Sequence, residues 1–135
     1  IQDGDIAGVI HTTEKSTGID MYMGIGGAPE GVLAAAALRC IGGQMQTKLV
    51  LEDQEKKDRA ARLGITDLDK IYDLDDMVTG DALFAATGVT NGSILSGIEI
   101  NSGIWTHTIV MRSSSKTIRW ITAHHQNIDK FNSQD

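Results

Sequence analysis

The chain has 135 residues, the size of one domain that buries most of the surface its unfolded form exposes. Its formal net charge of −6 argues against nucleic acid and anionic membrane surfaces as partners, because both select basic faces. No apolar run reaches the roughly 18 residues of a membrane span and no leader pattern opens the chain, which predicts a cytoplasmic protein. The single cysteine, Cys40, is expected to be a small buried hydrophobe. The chain begins at Ile1, and we interpret this as a cut where a strand meets a functional loop, with a processed N-terminus as the alternative.

The first half of the chain alternates strand and helix patterns. Residues 18–25 are apolar and bounded by glycines, which predicts a buried strand. The only proline and a later glycine pair bound a helix over 29–41, and its alanines and leucines predict packing on most sides. A strand over 48–51 and an amphipathic helix that ends at Gly64 follow, and the charge run of this helix is expected to be a solvated face.

The second half is rich in strand patterns. Short strands are predicted over 70–74 and 82–87, and a hairpin over 104–112 and 116–123. The alternation predicts an α/β fold with a mixed sheet flanked by helices, organised as one domain over 1–124 and a polar tail over 125–135. One face of the hairpin is expected to carry Trp105, His107, Ile109 and Met111 beside Ile118, Trp120 and Thr122.

A glycine turn precedes the predicted helix over 29–41, in the string GIGGAPEG. Such a turn leaves unpaired backbone N–H groups at a helix N-terminus, where the helix dipole also attracts anions. Glycine is suited to the turn because a side chain would block a ligand and because some positions require positive φ. A tight strand-to-helix connection without a ligand is the alternative.

Two groups of acidic residues are candidates for ligand contacts. Glu30 lies in the first turn of this helix, where the dipole alone can explain a carboxylate. If the helix is buried nearly all round, its N-terminus lies at an interior cleft, where an unpaired carboxylate is costly. A cation bound to the carboxylate would remove this cost. One carboxylate does not complete a Mg²⁺ or Mn²⁺ site, however. Asp3 and Asp5 flank Gly4, so both carboxylates can accept hydrogen bonds from sugar hydroxyls or bind a cation. An Asx-type turn is the alternative for this string.

Other polar residues are better explained as structural. His124 and His125 are neighbours on a strand and point to opposite faces, so they do not form a metal pair. His107 is expected to be packed or hydrogen-bonded, and Cys40 has no base nearby in sequence. The remaining candidates are expected to be surface-loop or helix-capping carboxylates, namely Asp75, Asp76 and Asp81.

Four strings together resemble one family. They are DGDIAG, GIGGAPEGVLAAAALRCIGGQMQ, DLDDMVTGDALFAATGVTNGSILSGI and THTIVMRSSSKTIRWI. In this order and spacing they resemble the C-terminal part of the class II fructose-1,6-bisphosphatases, bacterial members of the lithium-sensitive sugar-phosphatase superfamily. The resemblance extends to about His124. It implies the C-terminal portion of a layered α/β sandwich.

The resemblance also implies roles for individual residues. Asp3, Gly4 and Asp5 match a substrate-binding string, and Gly27 matches a glycine whose backbone lies against the substrate. Glu30 matches a ligand of the divalent cation, Mg²⁺ or Mn²⁺. The remaining metal ligands and a catalytic threonine belong to an N-terminal half of the enzyme that this chain does not contain. The chain therefore holds no catalytic residue and is expected to be inactive alone.

The implied activity is metal-dependent hydrolysis of the 1-phosphate of fructose 1,6-bisphosphate, a step of gluconeogenesis. Some relatives in photosynthetic bacteria also act on sedoheptulose 1,7-bisphosphate. The implied partners are the sugar bisphosphate, the missing N-terminal half and other copies in a homo-oligomer. Two alternatives remain: a non-catalytic sugar-phosphate-binding or assembly module, and a related phosphatase acting on another substrate such as an inositol phosphate.

Overall fold

The structure, a computed structural model, describes residues 5–127 and residue 129. Four α-helices are described: α1 (Asp5–His11), α2 (Ala28–Ile41), α3 (Gln54–Arg62) and α4 (Leu74–Met77). Six strands are described: β1 (Gln46–Lys48), β2 (Ile71–Asp73), β3 (Leu83–Thr87), β4 (Glu99–Ile100), β5 (Ile104–Arg112) and β6 (Thr117–His125). The predicted α/β class is confirmed, and every strand pair in the described part of the chain is antiparallel. No helix of these residues is both long and apolar enough to cross a bilayer.

Helix α2 confirms the helix that was predicted over 29–41. Gly27 is its N-cap, a proline lies in its first turn, and Gly42 ends it in the left-handed conformation with φ of 104°. Its C-terminal part is buried, but Val32 and Leu33 are each 48% exposed. The prediction of packing on most sides is therefore wrong for the N-terminal part, because none of the described elements covers these side chains. The buried residues of α2 are Ala34, Ala35, Ala37, Leu38 and Cys40.

The larger sheet is built around β5. Strand β6 pairs with β5 along its whole length, so β3 and β4 share the opposite edge of β5. The pairs His107–Thr122 and Ile109–Trp120 put the predicted residues of the hairpin on one face, which confirms that prediction. Strand β6 extends to His125, the first residue of the predicted tail. Most of that tail lies outside the described residues.

The core lies between this face of the sheet and the two helices α1 and α2. It contains six buried side chains: Ile10, Ala37, Cys40, Phe84, Ile109 and Met111. Burial raises the pKa of the Cys40 thiol, whose Sγ donates a weak hydrogen bond to the carbonyl oxygen of Ala82 at 3.5 Å. Cys40 is thus the buried hydrophobe that was predicted, and its raised pKa disfavours a thiolate at neutral pH.

A smaller unit is formed by the antiparallel pair β1 and β2 with helix α4, which packs on β2, and α3 lies between β1 and β2 along the chain. Strand β1 lies earlier in the chain than the strand predicted over 48–51, because residues 46–48 are the ones that pair with β2. The stop at Gly64 is confirmed by its φ of 81°. Asp73 is the N-cap of α4, and the Asp76 carboxylate accepts a hydrogen bond from the Asp73 backbone N–H in a reciprocal capping box, so Asp76 takes part in helix capping as expected. Asp75 of α4 forms an ion pair with Arg39 of α2, so α4 joins the two units.

The predicted strand over 18–25 is wrong. Gly18 is left-handed, and the residues that follow it up to Gly27 form neither a helix nor a strand. Met23 is 84% exposed and Ile25 is 86% exposed. A strand needs a hydrogen-bonded neighbour, and no described strand borders this segment. An apolar sequence pattern alone therefore did not produce a strand here.

Asp81 ties the start of β3 to the turn between β5 and β6. Its carboxylate accepts hydrogen bonds from Arg112 Nη2 at 3.0 Å, from the Ser113 hydroxyl and from the Ser114 backbone N–H at 2.9 Å. The bond from Ser113, followed by that from Arg112, holds the pKa of Asp81 well below its usual range. Asp81 is thus the surface-loop carboxylate that was expected, and both of its carboxylate oxygens accept hydrogen bonds.

This depressed pKa predicts a loss of stability in acid. Because the folded-state pKa lies below the unfolded value of about 3.9, the stabilisation by Asp81 is complete well above that pH and decreases progressively as the pH falls from there towards the folded-state pKa, since the unfolded chain takes up the proton first. Between pH 7 and pH 3, we expect the thermal midpoint of the parent protein to fall further than that of the Asp81→Asn variant. Asp20→Asn is the control, because Asp20 is exposed and has no bonded partner among the described residues. Equal falls in the parent and the Asp81→Asn variant would contradict this explanation.

Candidate functional site

The two segments that resemble a substrate and metal site extend into the first turns of two neighbouring helices. Helix α1 packs on α2. The C-terminal ends of these helices are adjacent, since Thr13 Cγ2 lies 3.4 Å from where a Cβ on Gly43 would be. We infer that the helices run in the same general direction, so that Asp5 and the first turn of α2 lie towards the same end of the helix layer. Asp3 and Gly4 lie outside the described residues, and for Asp5 only the backbone, which begins α1, is described.

The glycine turn before α2 has ordinary backbone angles. Gly27 has φ of −70° and ψ of 152°, which any residue adopts, and neither Gly24 nor Gly26 has positive φ. The expectation that some of these glycines require a left-handed conformation is therefore wrong. What glycine contributes at Gly27 is the absence of a side chain, so the N-terminal N–H groups of α2 remain open to a ligand.

Glu30 folds back over this turn. It is the third residue of α2, and a Cβ built on Gly27 would collide with Glu30 Oε2. The residue is exposed, and no hydrogen bond or ion pair of Glu30 occurs within the described part of the chain. The described residues thus do not form the expected interior cleft, because none of them buries the exposed side of the N-terminal part of α2. The helix dipole favours the carboxylate in this position.

The described residues supply only part of a metal site. Among residues 5–127 and 129, no group of three or more His, Cys, Asp or Glu side chains is suitably arranged for a metal ion. His124 stacks on Trp105 and its Nε2 lies 3.2 Å from the Ser102 carbonyl oxygen, whereas His125 Nε2 lies 3.0 Å from Thr106 Oγ1. The two histidines therefore engage different neighbours. Among the described residues, the exposed Glu30 carboxylate has the oxygen chemistry of one ligand in a site that other residues would complete.

Sequence reasoning missed two features of this region. Helix α1 begins at Asp5, the last residue of the DGD string, and the apolar spacing of Ile6 and Ile10, four residues apart, is the signal that predicts it. The contact between Glu30 and Gly27 was also missed. Its signal is the three-residue spacing between an N-cap and the N3 side chain, which often reaches back in a capping box.

Comparison with known proteins gives consistent matches. The sequence profile of the family described as "Bacterial fructose-1,6-bisphosphatase, glpX-encoded" matches residues 1–125. A protein of Haemophilus influenzae named fructose-1,6-bisphosphatase class 2 is 41% identical over 140 residues, covering 93% of this chain and 42% of the relative. A protein of Synechococcus sp. (strain JA-3-3Ab) named D-fructose 1,6-bisphosphatase class 2/sedoheptulose 1,7-bisphosphatase is 37% identical over 139 residues, covering 93% of this chain and 40% of the relative.

The chain thus spans about two fifths of the length of these relatives. The family match includes the DGD string, the glycine turn, Glu30 and the complete β5–β6 hairpin. Because the match covers more than nine tenths of the chain, it applies to the chain as a whole and not to one motif. The chain belongs to the bacterial, glpX-encoded fructose-1,6-bisphosphatase family.

Proposed function

We propose that this chain is the C-terminal part of an enzyme that hydrolyses the 1-phosphate of fructose 1,6-bisphosphate, and that it supplies one side of the active site. The observation that carries the proposal is the N-terminus of α2, where the Glu30 carboxylate lies against Gly27 beside open backbone N–H groups. A carboxylate and unpaired amides at one helix end suit a cation and a phosphate ester that bind together.

Each candidate residue has a separate task in this proposal. The carboxylates of Asp3 and Asp5 accept hydrogen bonds from sugar hydroxyls, and Gly4 lets both turn towards the same ligand. Gly27 leaves room for the sugar phosphate to approach the amides of α2. Glu30 contributes an oxygen ligand to a divalent cation.

The donor chemistry of Glu30 fits a hard cation. Carboxylate oxygen is a preferred ligand of Mg²⁺ and Mn²⁺, and we propose one of these as the cofactor. The chemistry that such a cation would supply, when it is bound there, is polarisation of the phosphoryl group and a lower pKa for a bound water. The other ligands come from outside the described residues, in keeping with the lack of a complete metal cluster among them.

The contribution of this chain is binding and orientation. Holding the phosphate ester in line with an attacking water can supply about 7–11 kcal/mol of the barrier at best. Asp3, Asp5 and Gly27 contribute by fixing the sugar, and Glu30 by fixing the cation. We assign no residue of this chain to proton transfer or nucleophilic attack.

The surfaces left uncovered here indicate where the rest of the protein packs. Val32 and Leu33 are exposed in the N-terminal part of α2, and so are Met21, Met23 and Ile25 in the segment before it. Burial of such side chains is favourable, by about 1.5–3 kcal/mol for each large one. We therefore propose that the N-terminal portion of the enzyme covers this side and completes the active site there.

The test is phosphate release by the full-length protein, measured separately with Mn²⁺ and Mg²⁺. The substrates are fructose 1,6-bisphosphate, sedoheptulose 1,7-bisphosphate and an inositol monophosphate. Sedoheptulose 1,7-bisphosphate is included because the name of the Synechococcus relative includes sedoheptulose 1,7-bisphosphatase. Fructose 1,6-bisphosphate is expected to be hydrolysed with a divalent cation and not with a chelator. Release from the inositol phosphate alone would favour another phosphatase, and release from none would favour a binding module.

A further inference from the structure

Helix α1 connects the last residue of the DGD string to the core. It begins at Asp5 and ends at His11, so it has seven residues. Isolated helices shorter than about 12–15 residues are marginal in water, and the position of α1 is therefore set by its contacts. Its apolar contacts are made by Ile10, which belongs to the core, and by Ile6, which packs against it. Such contacts are not directional, so they do not by themselves fix the tilt of a short helix.

His11 gives α1 a directional contact at its C-terminal end. Its Nε2 and the Ser93 Oγ are hydrogen-bonded at 2.7 Å, across 82 positions of the sequence. The Nδ1 atom of the same ring is buried and has no hydrogen-bond partner in the described part of the chain. Within that part, the bond to Ser93 is therefore the polar contact that orients the His11 side chain.

Ser93 belongs to a loop whose own hydrogen bonds define its shape. The loop comprises residues 88–98, between β3 and β4, and we call it the serine loop. The Gly92 N–H donates to the Leu95 carbonyl oxygen at 2.9 Å, which closes a turn that includes Ser93. Three further hydrogen bonds hold the loop: Ile98 N–H to the Val89 carbonyl oxygen, Gly97 N–H to Asn91 Oδ1, and Gly88 N–H to the His107 carbonyl oxygen.

The serine loop is also attached to the sheet and to the core. The Ser96 N–H donates to Nδ1 of His107 in β5 at 3.2 Å. Ile94 and Leu95 pack against the core cluster that includes Ile10 of α1. All of these contacts join described residues to one another. The serine loop is therefore a defined support to which the end of α1 is bonded.

The length of α1 makes this bond important for the opposite end of the helix. The six steps from Asp5 to His11 span about 9 Å in an α-helix, so a tilt of about 6° moves the far end by about 1 Å. A displacement of about 1 Å caused by a change far from the chemistry can lower a rate by about 100-fold. Loss of the bond at His11 can therefore affect a ligand that binds at Asp5.

We propose that His11 is a positioning residue for the sugar, because its hydrogen bond to Ser93 fixes the tilt of α1 and with it the place of Asp5. This inference rests on the proposed function, in which the Asp5 carboxylate accepts hydrogen bonds from sugar hydroxyls. His11 acts only through α1, whereas Glu30 is on α2. Loss of the bond should therefore weaken substrate binding and leave the affinity for the cation unchanged.

The test is a double-mutant cycle on phosphate release by the full-length protein, with fructose 1,6-bisphosphate and saturating Mn²⁺. His11→Phe keeps a ring but removes its polar atoms, and Ser93→Ala removes the partner hydroxyl. Each variant is expected to raise KM about fivefold. The double variant should raise KM no further than the larger single effect, because the same bond is lost in all three proteins. The Mn²⁺ concentration that gives the half-maximal rate should match that of the parent protein.

His11→Gln and Thr87→Val complete the experiment. The glutamine amide can donate or accept a hydrogen bond, so His11→Gln should return KM to within about twofold of the parent value. Thr87→Val removes a bond of similar length, 2.8 Å to Thr108 Oγ1, which joins β3 to β5 beside the serine loop. It should leave KM unchanged. Thermal unfolding checks every variant, and a loss of folded protein alone would lower kcat without raising KM.

Three results in an active parent protein would overturn the role of His11. They are an unchanged KM in His11→Phe and Ser93→Ala, effects of these two that multiply in the double variant, and a folded His11→Gln variant whose KM stays as high as that of His11→Phe. A parent protein that releases no phosphate would contradict the proposed function itself, and the role of His11 in binding the sugar would be overturned with it. The activity of the parent protein thus distinguishes the two failures.

Discussion

Replacing Glu30 with glutamine is expected to lower phosphate release from fructose 1,6-bisphosphate by at least about 100-fold in the full-length protein. Loss of a group that only supports a metal ligand typically costs 10–100-fold, and loss of a ligand should cost more. Glutamine keeps the size of the side chain but removes the charge that binds a divalent cation. The measurement is the rate of phosphate release over a range of Mn²⁺ concentrations, in which high Mn²⁺ should partly restore the rate.

Glu55→Gln is the matched control for this prediction. Glu55 is also an acidic residue in the first turn of a helix, α3, and it lies outside the proposed site. The control should keep the rate and the Mn²⁺ dependence of the parent protein. Retention of both by Glu30→Gln would show that Glu30 is a helix-starting residue and not a metal ligand.

Replacing Gly27 with alanine is expected to reduce activity while leaving the fold intact. The backbone angles of Gly27 suit alanine, so no strain arises there. The new Cβ would collide with the Glu30 carboxylate, which is the end of a flexible side chain and can move away. We expect the apparent affinity for Mn²⁺ to fall about 10–100-fold, and KM for the substrate to rise because the Cβ also narrows the approach to the amides of α2.

Gly31→Ala is the control, because it adds the same methyl group four residues further along α2. Its Cβ would lie 3.6 Å from Met77 Cε, an ordinary contact, and alanine within the helix should add about 0.5–1 kcal/mol to the free energy of unfolding. Thermal unfolding and steady-state kinetics of both variants provide the comparison. If Gly27→Ala matches Gly31→Ala in Mn²⁺ affinity, the contact between Glu30 and Gly27 has no functional role.

Elements with local signals were predictable from the sequence. Helix α2 was predicted correctly because a proline marks its start and two glycines follow its end. The β5–β6 hairpin was predicted correctly because apolar and polar residues alternate in both strands on either side of a polar turn. The segment over 18–25 was mispredicted for the opposite reason. Its apolar pattern indicates burial, but a strand forms only beside a partner, and none of the described strands provides one. A pattern within one segment carries no information about a neighbour elsewhere.

The candidate site was predictable in its residues but not in its exposure. Glycines, a carboxylate and a helix start at fixed spacing point to Gly27 and Glu30, and the family match includes both. The buried cleft expected around Glu30 was inferred from the apolar composition of α2. That composition indicates how much surface the helix can bury, but it does not indicate whether other residues of this chain pack over it. The roles of Asp3, Gly4 and Asp5 remain a prediction from the resemblance.

The most direct test of a divided active site compares phosphate release by the 135-residue chain and by the full-length protein. Both are assayed with fructose 1,6-bisphosphate and Mn²⁺ at equal molar concentration. The full-length protein is expected to release phosphate, and the 135-residue chain to release none above the rate without protein. Equal activity of the 135-residue chain would contradict the account, because this chain would then contain a complete metal site and the groups that activate water.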